Sequence, residues 1–500
     1  MIQALAPRMP RGFSWVCLAI VAIAWAPSMT RAQTPDKPPG TDKPATDPAK
    51  AAEKSDKDKA KDEPIEERPT TEVFTDPNAK KTLTIFSPMN YAGPAIKVGN
   101  PPDDRSRVQS MATGIVNTDP EFLKRYVEYF ATELTRRDYL NALLNPPANA
   151  KPTDPAARGL ERAVDALTKP ILDARATNKS EFLTAYTRIL FESSLPKILE
   201  NNYLSRIDAM IVLGMAGGTS SQALDVYVKE LKKPDQVIWV KLWAARGLSN
   251  AAQNGKVDLD ALRSIQAAEA LVGFLEGNPK LPWPAQMRVL EALGSIRISM
   301  ANLPRGKLDV ASVVMKVLAD PDSNFEVRSW AAWALGMMKV SPTVAPFNFG
   351  LIGEEVGQLA VEIGDQIVKE FDVNQANFER QKIQAEHLTS ILLFQVYPAI
   401  IGEDGARDSG LIHSPHPNFG TSKIYLTKLD GLVKGIARGS YELIRAGGAA
   451  AKDRRNELDA KLAELKKFLA QGGPKDRRLV PGGPEFAPVA GQQVAGAPGP

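Results

Sequence analysis

Cysteine and histidine are nearly absent from this chain of 500 residues. It contains one cysteine and three histidines, and the cysteine, Cys17, lies in an apolar run near the start. If that run is removed as an export leader, no thiol remains. Disulfides, cysteine nucleophiles, CxxC zinc sites and CxxCH haem attachment are then excluded. The scarcity of histidine also leaves few side chains that titrate near neutral pH for acid–base catalysis.

Catalytic motifs and a strong charge imbalance are missing as well. The sequence has no GxSxG elbow, Walker loop or HExxH motif. Its formal net charge is +4, and removal of a leader carrying Arg8, Arg11 and Arg31 leaves about +1. A nucleic-acid-binding protein needs a concentrated basic face, so no nucleic-acid partner is expected. We therefore predict a protein that is not an enzyme and has no cofactor, no catalytic residues and no metal.

Long apolar runs are absent after the first 32 residues. Residues 1–32 have a basic start, an apolar run from Phe13 to Ala26 and a small residue, Ala32, before a cleavage point at Gln33. This pattern predicts a signal peptide. The run is shorter than the roughly 20 residues of a membrane-spanning helix, although retention as an anchor is the alternative. We expect export to the periplasm or the extracellular space, with no transmembrane segment after signal removal.

Two segments have too few apolar residues to form a core. Residues 33–82 consist largely of Pro, Lys, Asp and Ala, and residues 472–500 are rich in Pro and Gly. Such compositions predict disorder. The first segment is interpreted as a flexible tether. The alternative is an arm whose lysines adhere to an anionic cell-wall polymer, which would make the chain a structural protein of the cell envelope.

A repeated helical pattern occupies residues 201–336. The stretches IDAMIVLG, VKLWAARGLS, MRVLEALGSI and VRSWAAWALG align on Leu213, Leu248, Leu293 and Leu335, with spacings of 35, 45 and 42 residues. Small and apolar residues recur one, three and four positions before each leucine, which is one stripe of an α-helix. A period of this length is typical of stacked helical repeats.

Another helix precedes three of the four stretches. These helices are predicted to end at Leu231, Leu275 and Leu318, and Pro234, Pro279 and Pro321 follow them within four residues. Since proline cannot continue a helix, each unit is predicted to be a helix, a short turn and a second helix.

This pattern resembles HEAT repeats, including the bacterial HEAT and phycobilisome-lyase-like type. The family often pairs an acid in the turn with a base on the second helix. Matching pairs six residues apart are Glu200 and Arg206, Asp235 and Lys241, and Asp322 and Arg328. The third unit departs from it, with Lys280 and Gln286. The resemblance implies an α-α superhelix whose second helices line the side on which partners bind, and it names no particular partner.

The predicted fold is therefore all-α, a HEAT-like solenoid between disordered ends. An N-terminal helical cap is placed at 83–177, the repeats at 178–340, a diverged repeat at 341–400, a loop at 401–420 and C-terminal helices at 421–471. The cap includes one long helix, predicted to run from about Pro120 to Leu144. On the last helix Leu458, Leu462, Leu465 and Leu469 form a seam that we expect to dock on the repeats; pairing with another helix is the alternative.

Aromatic residues on the second helices are the candidate functional residues. Positions nine, five and two before each register leucine point away from the packed stripe. Aromatic side chains with arginine on such a side are typical of protein interfaces. We predict that a protein or peptide binds there, with Trp330 and Trp333 the most exposed; wedging of the tryptophans between units is the alternative. The candidate partner-binding residues are Trp239, Trp243, Arg246, Arg288, Glu291, Trp330 and Trp333.

The three histidines suggest a weaker hypothesis. His413 and His416 lie in the 401–420 loop with Glu403, Asp404 and Asp408, so a metalloprotein or enzyme using residues 403–416 is the alternative function. His387 falls between Ile383 and Ile391 on its predicted helix, and we expect it to be a core histidine.

Overall fold

The computed structural model divides the chain into two units, Met1–Glu72 and Val73–Pro500. The structure describes residues 89–97, 103–144, 156–254, 261–342, 346–374, 378, 382–403 and 409–487, except 95, 157, 219, 279, 304 and 305. All of them belong to the second unit. The predicted leader, the 33–82 linker and residues 488–500 lie outside the described residues. The predicted all-α superhelical class is confirmed.

Within the described residues, four helices precede the repeats: α1 (Asp104–Thr113), α2 (Pro120–Glu133), α3 (Arg137–Leu144) and α4 (Gly159–Ala176). Helix α2 starts where predicted, because the Asp119 carboxylate accepts a hydrogen bond from the Phe122 N–H and Pro120 occupies the first turn. The prediction of one helix up to Leu144 was wrong. The chain turns after Glu133, and the buried hydroxyl of Thr135 accepts a bond from the Met89 N–H at 2.9 Å.

The repeats follow as pairs of helices. The elements are α5 (Ser180–Glu192), α6 (Leu195–Ile198) and α7 (Tyr203–Ala216), then α8 (Ser221–Lys232) and α9 (Ile238–Asn254), then α10 (Ala261–Glu276) and α11 (Trp283–Ile296), and finally α12 (Val310–Leu318) and α13 (Phe325–Met337). The four predicted repeat stretches form α7, α9, α11 and α13, which we call the second helices.

The register leucines lie at the centre of the packing. Leu213, Leu248, Leu293 and Leu335 are between 0% and 3% exposed and belong to one continuous apolar core. The predicted shared spine is therefore confirmed. Full burial of one leucine side chain stabilises a fold by about 1.5–3 kcal/mol, so this repeated position is a major part of each unit's stability.

The glycine after the register leucine lets successive second helices approach closely. A Cβ atom at Gly214 would lie 2.5 Å from the Trp243 carbonyl oxygen, and one at Gly294 would lie 2.5 Å from the Trp333 ring. At Gly336 the added atom would collide with the backbone of Ala399. The Leu-Gly pair thus marks a burial site followed by a helix contact.

The predicted acid–base ladder does not form from the predicted pairs. Glu200 instead pairs with Lys233 at 2.6 Å and with Lys229 at 3.4 Å. Arg206 is buried, and its Nε donates to the Asn201 carbonyl at 2.5 Å. Arg328 is also buried. Its Nε donates to the Leu318 carbonyl at 3.0 Å, and it forms an ion pair with Glu362. In these two units the arginine therefore binds carbonyl groups at the end of the preceding helix or turn, which have no partner within that element. The spacing of acids and bases along the sequence does not predict such contacts. Lys241, the base of the remaining pair, lies over the Phe274 ring.

A β-hairpin that the sequence analysis missed joins α11 to α12. Strands β1 (Met300–Leu303) and β2 (Gly306–Asp309) pair antiparallel, with Met300 opposite Asp309. Asp309 ends the hairpin and caps α12 by accepting from the Ser312 N–H at 3.0 Å. The strands are four residues each, too short for a periodicity to be read from the sequence.

The next pair of helices continues the stacking. Helix α14 spans Phe349–Val373, and its partner comprises α15 (Ile383–Ile391), a π-helical turn (Leu392–Val396) and α16 (Tyr397–Ile401). The Tyr397 N–H bonds to the Leu392 carbonyl, five residues back, immediately before Pro398. Proline has no N–H and its ring crowds the carbonyl four residues earlier, so the helix widens here.

The C-terminal helices pack on α14. After a short 3₁₀ turn (Leu411–His413), α17 (Phe419–Arg445) and α18 (Gly448–Gly472) form an antiparallel pair. The predicted leucine seam docks as expected. All four leucines are buried, and Leu462 and Leu469 lie against Gly364 and Gly357 of α14.

Residues 473–487, which we call the C-terminal strap, correct the prediction of a disordered tail from residue 472. Leu479, Val480 and Phe486 are buried, and the Leu479 carbonyl accepts from the Asn348 N–H at 2.8 Å. Arg477 pairs at 2.5 Å with both Glu354 and Glu355 of α14. A few anchoring side chains therefore order a segment whose overall composition predicts disorder.

None of the helices in the described part of the chain combines the length and the apolar character that crossing a bilayer requires.

Candidate functional site

The predicted partner-binding residues occupy equivalent positions on successive second helices. Five residues before the register leucine the sequence has Asp208, Trp243, Arg288 and Trp330, and two residues before it Ile211, Arg246, Glu291 and Trp333. We call the seven predicted residues, Trp239, Trp243, Arg246, Arg288, Glu291, Trp330 and Trp333, the second-helix face. Because neighbouring second helices are in contact, residues at one register position lie side by side across units.

An ion-pair cluster occupies the middle of this face. Glu291 on α11 is buried and binds Arg246 of α9, and it accepts from Arg288 on its own helix at 2.5 Å. Burial opposes ionisation of Glu291, but Arg288 and Arg246 outweigh it and lower the pKa of that carboxyl. The cluster joins two units and carries a net positive charge. Sequence analysis placed its residues on one face but did not predict that Glu291 would be buried.

Trp333 is the clearest correction. It was predicted to be among the most exposed residues, yet it is 4% exposed and packs over Gly294 of the preceding second helix. Its indole Nε1 donates to Glu403 at 3.1 Å. Gly294 has no Cβ atom to occupy this space, so the Trp333 ring packs into the contact between the two units. Trp333 therefore wedges between neighbouring units, which is the alternative that the sequence analysis gave for the tryptophans.

The other three tryptophans of the face are half-buried. Trp330 lies edge-on to Trp333, with ring centroids 5.2 Å apart. Trp243 lies beside Gly214, and Trp239 packs at the margin of the apolar core. Each of these rings keeps part of its surface accessible, so Trp239, Trp243 and Trp330 are the aromatic residues that a partner can contact.

Three charged residues lie near the face although the sequence analysis did not place them there. Arg175 of α4 donates to the Ala216 carbonyl at 3.2 Å, and burial together with the charge of Arg246 lowers the pKa of Arg175 to about 10. Asp208 is 7% exposed, and burial raises the pKa of this carboxyl to about 7. Glu403 is exposed as a whole residue, but its carboxylate is largely buried, and this burial raises its pKa. The hydrogen bond from the Trp333 indole and the charge of Arg297 act in the opposite direction but do not outweigh it. Asp208 shares the register of Trp243, so the repeat alignment could have identified it.

The loop histidines do not converge. His413 is exposed, whereas His416 is buried, contacts the Phe349 ring and accepts from the Asn418 N–H at 3.2 Å. Asp404 and Asp408 lie outside the described residues. Among the residues that the structure does describe, no three His, Cys, Asp or Glu side chains are grouped to hold a metal ion.

His387 was predicted to be a core histidine, and that prediction was wrong. Its side chain is 38% exposed and its Nε2 lies 2.9 Å from a Glu326 carboxylate oxygen. The hydrogen bond to Glu326 raises the pKa of His387. Of the two expected apolar neighbours, Ile383 is exposed and Ile391 is buried.

One small cleft lies between the end of α13 and the segment at Gly410–Pro415. It encloses about 10 Å³, which is room for about one water molecule, so it is not a candidate substrate site.

Comparison of the chain with protein-family models, with curated proteins and with solved structures found no match in any of the three.

Proposed function

We propose that this chain is a non-enzymatic docking platform of the HEAT-repeat kind, exported to the cell envelope, which binds a protein or peptide partner on its second-helix face. The observation that carries the proposal is the Arg246–Glu291–Arg288 cluster with half-buried tryptophans on either side of it in the same register. Export rests on the leader sequence alone.

The cluster supports the proposal because it makes the face rigid. Arg246 and Arg288 are held by a shared carboxylate, and the two helices that carry them are in direct contact. Side chains that are already ordered lose little conformational entropy when a partner binds. Rigid aromatic rings with nearby arginine are the groups that contribute most to affinity in protein interfaces.

The structure changes the role assigned to Trp333. Because this ring fills the space over Gly294, it would act as a positioning residue that holds Trp330 in place through their edge-on contact. The contact residues of the proposed face are then Trp239, Trp243 and Trp330, with the outer edges of Arg246 and Arg288.

The test compares two variants of the chain in a pull-down from the envelope fraction of the parent organism, followed by titration of the captured partner. Trp243→Ala with Trp330→Ala should weaken binding at least about 30-fold, since loss of one such anchor costs about 2 kcal/mol or more. Circular dichroism should show unchanged helix content.

The matched control is Trp283→Ala. Trp283 is 37% exposed and lies ten positions before the register leucine, off the proposed face. Its removal should leave the affinity within a factor of two. Equal losses in the control and the double variant, or a partner that binds both normally, would rule out this face as the docking site.

A further inference from the structure

A second surface, separate from the second-helix face, is formed by the outer sides of α15 and α17. The Lys382 Nζ donates to the Ile444 carbonyl at 2.8 Å. At the other end, Tyr397 lies beside Asp430 of α17. Burial and this neighbouring carboxylate raise the pKa of Tyr397 to about 12. The chain from Lys382 to Tyr397 therefore runs antiparallel to α17, and their solvent-facing sides form one continuous surface, the α15–α17 face.

Large apolar side chains protrude from this face. Ile424 on α17 is 85% exposed, Ile383 on α15 is 76% exposed, and Phe394 in the π-helical turn is 65% exposed. Ile383 and Phe394 lie eleven residues apart along one continuous helical segment, and both belong to its solvent-facing side because both are exposed. Single exposed apolar residues are common, but three at this level of exposure on two neighbouring helices need an explanation.

Basic side chains run along α17 beside them. Lys423, Lys434, Arg438 and Arg445 are separated by 11, 4 and 7 residues, which keeps them on one stripe of the helix. Arg438 pairs with Glu442 at 2.7 Å. Within the described part of the chain, Lys423 and Lys434 make neither an ion pair nor a hydrogen bond. The stripe therefore presents uncompensated positive charge next to exposed apolar groups.

The described residues leave this stripe open. A Cβ atom at Gly420 or at Gly431 would meet nothing within 4 Å, so no described segment packs over these turns of α17. The apolar side of the same helix is already used, because Leu426, Leu429, Val433 and Ile436 are buried against the rest of the fold. The outer stripe is therefore the part of α17 that another molecule can contact.

We infer that the α15–α17 face binds the surface of an anionic lipid membrane. Lysine and arginine beside a membrane are attracted by the negative headgroups, and their long stems let protruding apolar groups enter the interfacial layer. An acidic protein partner would satisfy the charge. However, Ile424, Ile383 and Phe394 are each between 65% and 85% exposed, and side chains that protrude this far suit a fluid lipid layer better than a shaped protein surface.

The test uses the full chain and sedimentation with vesicles of phosphatidylcholine containing 30% phosphatidylglycerol, beside vesicles of phosphatidylcholine alone. Binding is expected only to the anionic vesicles and should weaken as salt is raised from about 0.05 M to 0.5 M, because salt screens exposed charges. Lys423→Gln with Lys434→Gln should lower the partition coefficient about tenfold or more. Ile424→Ser with Phe394→Ser should lower it by a similar factor.

The matched control is Ile115→Ser with Leu262→Ser, which removes two residues that are 78% and 66% exposed, one in the loop after α1 and the other on α10. This variant should bind the anionic vesicles like the unchanged chain. Failure of the unchanged chain to bind anionic vesicles would overturn the inference, as would equal losses in the control. Retention on polyglutamate that is insensitive to Ile424→Ser and Phe394→Ser, without vesicle binding, would point to an acidic protein instead.

Discussion

The second helices and the C-terminal helices are both amphipathic and both pack through glycine and leucine, but they keep their charges in different places. The second helices bury Arg206, Glu291 and Arg328. Helices α17 and α18 bury leucines and keep most of their charges in solvent. Arg477, a half-buried cation of the strap, is held by two glutamates of α14.

Glycine explains much of this difference. In three of the four second helices it follows the register leucine, and at Gly214 and Gly336 it brings two backbones into contact. Polar side chains near the contact are then enclosed and must find partners across units. In α17, Gly420 and Gly431 face open space, so nothing is enclosed there. Buried charge thus fixes the alignment between units, whereas exposed charge leaves a surface for another molecule.

The largest expected effect comes from breaking the buried cluster. Glu291→Ala removes the buried carboxylate that Arg246 and Arg288 share, leaving two half-buried cations without it, and should lower the free energy of unfolding by about 3–5 kcal/mol. Urea titration followed by circular dichroism measures this. Glu464→Ala, on the solvent side of α18, should change stability by less than about 0.5 kcal/mol. Similar values for the two variants would remove the distinction between the regions.

The buried carboxyl group of Asp208, on α7, should make the stability of the protein depend on pH. The pKa of Asp208 is raised to about 7 from the ordinary 3.8, so the folded state holds its proton more tightly than the unfolded state. Its effect on stability is therefore small below pH 4 and becomes unfavourable as pH rises to 7. Asp208→Asn should stabilise the protein by about 2–4 kcal/mol at pH 8 and by little at pH 4. Equal effects at the two pH values would contradict this origin.

Glycine substitutions should have opposite signs in the two regions. Gly336→Ala places a methyl group against the Ala399 backbone and should cost about 2 kcal/mol or more, because neither helix can yield easily. Gly431→Ala adds a methyl group in open space and should stabilise α17 by about 0.5–1 kcal/mol. Thermal unfolding of both variants gives the comparison. A stabilising Gly336→Ala would mean that α13 and α16 are not in contact.

The smallest expected effect concerns the pair between Glu326 and His387. The raised pKa of His387 means that its favourable contribution is present below the ordinary pKa of about 6.5 and is lost as pH rises through the raised value. The lowered pKa of Glu326 keeps the pair intact down to mildly acidic pH. An exposed pair contributes on the order of 0.5 kcal/mol. Differential scanning calorimetry at pH 5.5 and pH 8.5 should show that His387→Gln destabilises only at the lower pH.

Periodicity predicted the parts of the fold that repeat. The register leucines, the paired helices and the C-terminal leucine seam all follow from spacing along single helices, because burial of one stripe constrains every turn. The strap and the β-hairpin carry no such constraint. Leu479, Val480 and Phe486 are too few to alter the composition of the tail, although each is buried.

The candidate site was predictable in position but not in exposure. Register alignment placed Trp333 on the correct side of α13, yet its burial depends on Gly294 in another unit and on Glu403, seventy residues later. The burial of Glu291 likewise depends on Arg246 in the preceding unit. Such contacts between units cannot be obtained from the angle of one residue on its own helix.

The most direct test of the account is a disulfide between successive second helices. Ser249 of α9 and Ser295 of α11 have hydroxyl oxygens 3.0 Å apart, and Cys17 is the one cysteine in the sequence. In a Cys17→Ser background, Ser249→Cys with Ser295→Cys should form an intramolecular disulfide under mild oxidation, since side chains this close suit its geometry. Peptide mass spectrometry detects the bond. Two thiols that remain free and react with a labelling reagent in the folded protein would contradict the stacking of second helices.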